Sequence, residues 1–201
     1  ELQKAAGYWF RYTMFRPEDA EARINLARIY DSTATDFDGK LRAIELHHEA
    51  IGVAKEPEVQ LELRRRLAEL LLETGRLPLA KTTALLVVTG DPGRGLPAYP
   101  RDAAANRVLA ETLYRQYILG AVGPEKVEGD TIGDIVERAM GLNPNDARLA
   151  IMLATIYRSQ PELLSAETTE SERHVRADRI MAALVASDPT NPRERGRRVA
   201  V

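Results

Sequence analysis

The sequence predicts an all-α protein, an α-solenoid assembled from repeated antiparallel helix pairs. Three observations predict it. A cadence of small and apolar residues closed by proline recurs: Ala5, Trp9, Tyr12 and Pro17 are separated by steps of four, three and five. The same steps return in Ala80, Ala84, Val87, Pro92, in Ile132, Val136, Ala139, Pro144, and in Ala177, Met181, Leu184, Pro189. A further copy, Ala43, His47, Ala50, has its proline displaced to Pro57. Steps of four and three place side chains on one helix face, and a following proline stops the helix. Between the cadences lies a second signature, Leu followed by a small residue, in Leu26-Ala27, Leu67-Ala68, Leu109-Ala110 and Leu153-Ala154. Each has Tyr30, Leu71, Leu113 or Tyr157 one turn later, so a neighbouring helix approaches over the alanine and the large residues fill the space around it. Third, both signatures alternate along the chain, and a unit that cannot bury its apolar face alone stacks on copies of itself.

Taken in order, residues 1–17 read as helix B of a preceding pair. Four pairs, each helix A then helix B, follow over residues 18–57, 58–92, 102–144 and 145–189. Residues 190–201 read as the start of a truncated fifth, so that 1–201 form one array. Pair starts fall at Ala20, Leu61, Ala103 and Ala147, at spacings of 41, 42 and 44. In the second pair Gly75 ends helix A and Ala80 sits on the inner face of helix B. The length beyond a minimal pair is assigned to four segments. Residues 31–40 form a polar A-to-B connection with Asp36 or Asp38 as N-cap. Residues 92–101, rich in glycine and proline, form a loop between pairs. Residues 120–130 and 159–172 interrupt the third and fourth pairs, with Thr169 and Glu172 patterned as a capping box.

Composition narrows the function classes. The 201 residues are 44% hydrophobic, ample for a core, and a net charge of −2 gives no general attraction to nucleic acid or anionic lipid. Absence of cysteine excludes disulfides and thiol chemistry, and no apolar run reaches the roughly 18 residues of a membrane span. The compartment is not fixed by the residues. The chain reads as a soluble piece of a longer protein, expected in a bacterial cytoplasm or periplasm.

The residues that carry the cadence resemble the tetratricopeptide repeat, whose pattern is W-x2-L-G-x2-Y, then A-x3-F, then P in 34 residues. The resemblance spans almost the whole chain. Here Arg23, Arg64, Asn106 and Ala150 stand at the Trp position, alanine replaces the small glycine, and the period is longer. The resemblance implies a right-handed superhelix in which the A helices line a concave groove. Side chains beside the Leu-Ala pairs then face a ligand: Glu21, Ile24, Asn25 and Arg28, next Glu62, Arg65, Arg66 and Glu69, then Arg107, Glu111 and Arg115, and last Arg148, Ile151, Thr155 and Arg158. Arginine recurs in every pair, and its fork suits bidentate pairing with carboxylates, so an acidic peptide or a free C-terminus is the expected partner. The alternative is a solvated face whose charges pair at i, i+4, as Arg65 with Glu69 and Arg107 with Glu111. The residues at the places of the family's terminal-carboxylate clamp do not match it.

Other motifs yield less. His47 and His48 point to different helix faces, His47 falls at a core position, and His174 is isolated, so no metal site is expected. The stretch Gly90-Asp91-Pro92-Gly93-Arg94-Gly95 lacks the strand and the Gly-Lys-Ser/Thr of a phosphate loop and reads as a linker. Asp36-Phe37-Asp38-Gly39 lacks the later ligands of a calcium loop and reads as a turn and cap. Arg193, Arg195, Arg197 and Arg198 read as the face of an incomplete helix. No carboxylate pair or nucleophile motif stands out, so no catalysis and no cofactor are expected. The expected function is a protein–protein interaction scaffold or adaptor, with self-association open to it. The alternative is the non-catalytic array of a larger enzyme, such as a transferase, recruiting substrate or regulating it in cis.

Overall fold

A computed structural model of the chain describes residues 2–124, 126–165 and 168–187. The described residues are helical, with two isolated bridges, Asp91 with Leu96 and Val127 with Asp130, and no strand. Pro189, the four tail arginines and the fifth-pair expectation lie outside them. The chain forms two compact units, Glu1–Thr112 and Leu113–Val201.

The first unit contains α1 (Leu2–Phe15), α2 (Ala20–Thr33), α3 (Phe37–Val53), α4 (Pro57–Glu73), α5 (Leu77–Thr89) and the greater part of α6 (Ala103–Ile118). Helices α1 to α5 each pack on the next in sequence. One apolar cluster joins Leu26 and Ala27 of α2, Leu46 and Ala50 of α3 and Leu63 of α4, with Trp9 of α1 against it. A second joins Leu61 of α4, Val87 and Val88 of α5 and Ala105 of α6. The cadence residues Ala43, His47, Ala50, Ala80, Ala84 and Val87 are buried, as are Leu26, Ala27, Leu67 and Ala68. In α1 the cadence holds at Trp9 alone: Ala6 rather than Ala5 is buried, Ala5 is half-buried and Tyr12 is exposed.

Local chemistry sets the ends. Asp19 and Asp36 accept from Ala22 N–H and Gly39 N–H at 3.0 and 2.7 Å as N-caps. Gly75, at φ 73°, closes α4: Arg76 N–H reaches back to Leu71 O at 2.8 Å and Gly75 N–H to Leu72 O at 3.1 Å. A left-handed backbone there favours glycine. Two expectations need correction. Residues 31–40 are not an inserted connection, because α2 runs to Thr33 and α3 begins at Phe37. The polar stretch is the last turn of one helix and the first of the next. Helix α4 begins at Pro57, four residues before Leu61, since proline at the first helical position donates no N–H that the helix needs.

His47 is 1% exposed, and its Nδ1–H donates to the Ala43 carbonyl at 2.8 Å. Burial lowers its pKa below the ordinary 6.5, opposed by that hydrogen bond. The unfolded chain therefore takes up a proton that the folded chain refuses. Stability is full above about pH 6.5 and falls as pH drops below it, by at most about 1.4 kcal/mol per pH unit. Chemical denaturation between pH 7.5 and 5.5 is expected to show this slope, and His47→Leu to flatten it.

The second unit contains the last turn of α6, α7 (Ile132–Leu142), α8 (Ala147–Ser159), a 3-10 turn at Pro161–Leu163 and α9 (Glu170–Ser187). Helix α8 packs on α7, on the turn and on α9. Ile132, Val136, Ala139, Leu153, Ala154, Tyr157 and Ala177 are buried. Gly133 permits the turn to press on α7, for a Cβ there would lie 2.6 Å from Leu163 O. Thr169 and Glu172 form the expected capping box of α9, and Thr131 with Asp134 forms another on α7. No described helix is long and apolar enough to cross a membrane.

Candidate functional site

The polar faces of α2, α4 and α6 within the first unit are joined by ion pairs. Arg28 of α2 forks onto Glu62 of α4 at 3.0 and 2.7 Å. Asp31 of α2 receives Arg66 of α4 through Nε at 2.8 Å and Nη2 at 2.8 Å. Arg66 also reaches Glu69 at 2.9 Å and Glu73 at 3.3 Å. Glu69 in turn accepts from Arg107 of α6 at 2.6 Å, and Arg107 donates to Glu111 at 3.1 Å. A continuous chain of charge thus runs Asp31, Arg66, Glu69, Arg107, Glu111. Its interhelical links span 35 residues for Asp31 to Arg66 and 38 for Glu69 to Arg107, and the separate Arg28–Glu62 pair spans 34. These links join α2 to α4 and α4 to α6.

Position in the fold explains the electrostatics. The Asp31 hydrogen bonds, ahead of the opposing effect of burial, raise the Arg66 pKa further above its usual value. The Arg28–Glu62 pair is open to water, with side chains 45% and 56% exposed, and an exposed pair is worth at most about 1 kcal/mol. Arg66 and Asp31 are more enclosed, at 34% and 18%. Their forked geometry costs more to lose.

Seven of the twelve favoured candidates therefore meet partners on or beside this face: Arg28, Glu62, Arg65, Arg66, Glu69, Arg107 and Glu111. The expected Arg107–Glu111 pair is present, whereas Arg65 pairs with Asp102 and Glu69 with Arg66 and Arg107. Asn25 is half-buried on α2. In the second unit Arg115 lies in the last turn of α6, and Arg148 stands exposed in the first turn of α8. Thr155 donates to its own helix at Ile151 O, and Arg158 pairs with Asp178 of α9.

Two residues that organise the face were missed from the sequence. Asp31 was read as part of a loop. Asp102, with its side chain 2% exposed, caps α6 by accepting from Ala105 N–H at 2.8 Å while it holds Arg65. A carboxylate just before Ala103 is a recognisable capping signal, but its partner 37 residues earlier is not. No family model and no curated protein matches the chain.

Proposed function

We propose that the chain is a tetratricopeptide-like right-handed α-solenoid that serves as a protein–protein interaction scaffold. A peptide or partner helix lies along the Arg/Glu face of its A helices. The observation that carries this reading is the row of interhelical ion pairs joining α2 to α4 and α4 to α6, from Arg28–Glu62 through Glu69–Arg107. Support also comes from the burial of the Leu-Ala pairs of α2, α4 and α6, which lie in the same unit as that face.

The guanidiniums of this face already hold carboxylates of the chain. An acidic partner binds by exchanging with them, so binding is salt-sensitive and selective for side chains that reproduce the fork. The most accessible exchange is at Arg28, where both partners are exposed. A peptide array probed with the chain at low salt is expected to retain acidic sequences. Arg28→Glu is expected to lower retention several-fold, whereas Lys81→Glu on α5 leaves it unchanged. No retained peptide, or retention indifferent to Arg28→Glu, contradicts the proposal.

A further inference from the structure

A cleft of about 210 Å³ opens in the first unit between α4, the C-terminal end of α5 and the loop after it. Three cations line it, Lys55, Arg64 and Arg94, and no carboxylate does. The rest of the wall is largely apolar, including Leu61, Val87 and Tyr99.

The loop side is built rather than slack. Asp91 and Leu96 exchange backbone hydrogen bonds at 3.0 and 2.9 Å, and Tyr99 N–H is tied to Val87 O at 2.9 Å. Gly90, at φ 70°, lets the loop fold back: a Cβ there would lie 2.7 Å from Leu96 O and 2.8 Å from Ala98 N.

Arg64 is the unusual group. Its Nη1 donates to a neutral acceptor, Gln60 Oε1, at 2.9 Å. Arg23, at the same place in the preceding pair, lies 3.8 Å from the carboxylate of Glu49. Burial, then the neighbouring Arg94 guanidinium, lowers the Arg64 pKa from its usual value. Arg94 has a long contact of 3.4 Å to Asp91, and its side chain, at the rim of the cleft, is 77% exposed. A half-buried guanidinium faced by a second cation is a place where an anion gains more than at an open surface. The cleft has the volume of about seven water molecules, more than a bare oxyanion fills, and its apolar wall rewards a hydrophobic body.

We infer that this cleft binds a small amphipathic oxyanion, a carboxylate or phosphate on a short alkyl or aryl body, with Arg64 and Arg94 on the head group and Leu61, Val87 and Tyr99 around the body. The site is separate from the charged face of the A helices, and Arg28 takes no part in it.

Titration of the full chain, followed by amide NMR shifts, tests this with three probes: hexanoate, phenyl phosphate and inorganic phosphate. Hexanoate or phenyl phosphate is expected to shift Gly95, Leu96 and Tyr99 and to bind about tenfold or more tighter than inorganic phosphate. A further probe, pentyl phosphate, which carries the same alkyl body as hexanoate, identifies the preferred head group by comparison with it. Arg64→Gln is expected to weaken binding by about tenfold or more. Arg94→Glu, at an exposed position where substitution is expected to change stability little, is expected to weaken it as well. The inference is overturned if neither organic probe shifts those residues, if inorganic phosphate binds as tightly, or if Arg94→Glu leaves affinity unchanged. It is equally overturned if an acidic peptide shifts them while both small probes fail.

Discussion

Leu67→Ala is expected to lower the unfolding free energy by about 2–5 kcal/mol, and Ala68→Leu, the opposite change one residue on, by about 1–3 kcal/mol. Leu67 is 2% exposed and Ala68 is fully buried, both on α4. Removing the leucine deletes apolar contacts and leaves a cavity that the packed surroundings fill only in part. Enlarging the alanine drives methyl groups into a helix that approaches because the residue is small. Urea unfolding followed by circular dichroism reads both effects. Leu79→Ala on α5, where the side chain is 51% exposed, is the comparison and is expected to cost well under 1 kcal/mol. If Ala68→Leu were neutral, close approach over the small residue would not be what holds these helices together.

Asp102→Ala is expected to cost about 2–3 kcal/mol, because one carboxylate performs two tasks. It caps α6 through Ala105 N–H, and it pairs with Arg65 of α4. The Arg65 side chain is 41% exposed, so part of its charge returns to water when the partner is lost, which limits the second contribution. Asp102→Asn separates the two tasks. Asparagine still caps, so only the charge is lost, and the expected cost falls to about 1 kcal/mol. Equal losses for both variants would place all the stabilisation in the ion pair.

What the sequence showed well was local. Gly75 as a helix stop, Asp36 as a cap and the Thr169–Glu172 box depend on neighbours within a few residues, and the structure contains all three. The buried cadences of α3, α5 and α7 were legible for the same reason, since helical periodicity maps directly onto one face. Residues 31–40 misled because Phe37-Asp38-Gly39-Lys40 has the composition of a loop. Asp36 caps that stretch, and the buried residues of the helix begin only at Ala43. Pro57 was read as ending one pair when it opens the next helix. The charged face was legible in its residues and not in its connections. Arg65 had Glu69 four residues away, yet the fold brings Asp102 closer. The cleft was not legible as a site: Arg94 and Gly95 lie in the stretch read as a linker, and Lys55 and Arg64 come from two other places in the chain.

The central claim is that α2 and α4 stand side by side with Arg28 facing Glu62. The chain has no cysteine, so Arg28→Cys with Glu62→Cys introduces the only two thiols. A short bismaleimide applied to dilute protein, with the product read by mass spectrometry, is expected to bridge them within one chain. Arg28→Cys with Leu79→Cys, on the helix B of the second pair, is expected to stay unbridged. Bridging of the second pair of thiols but not the first, or links only between separate molecules, would contradict the stacked arrangement.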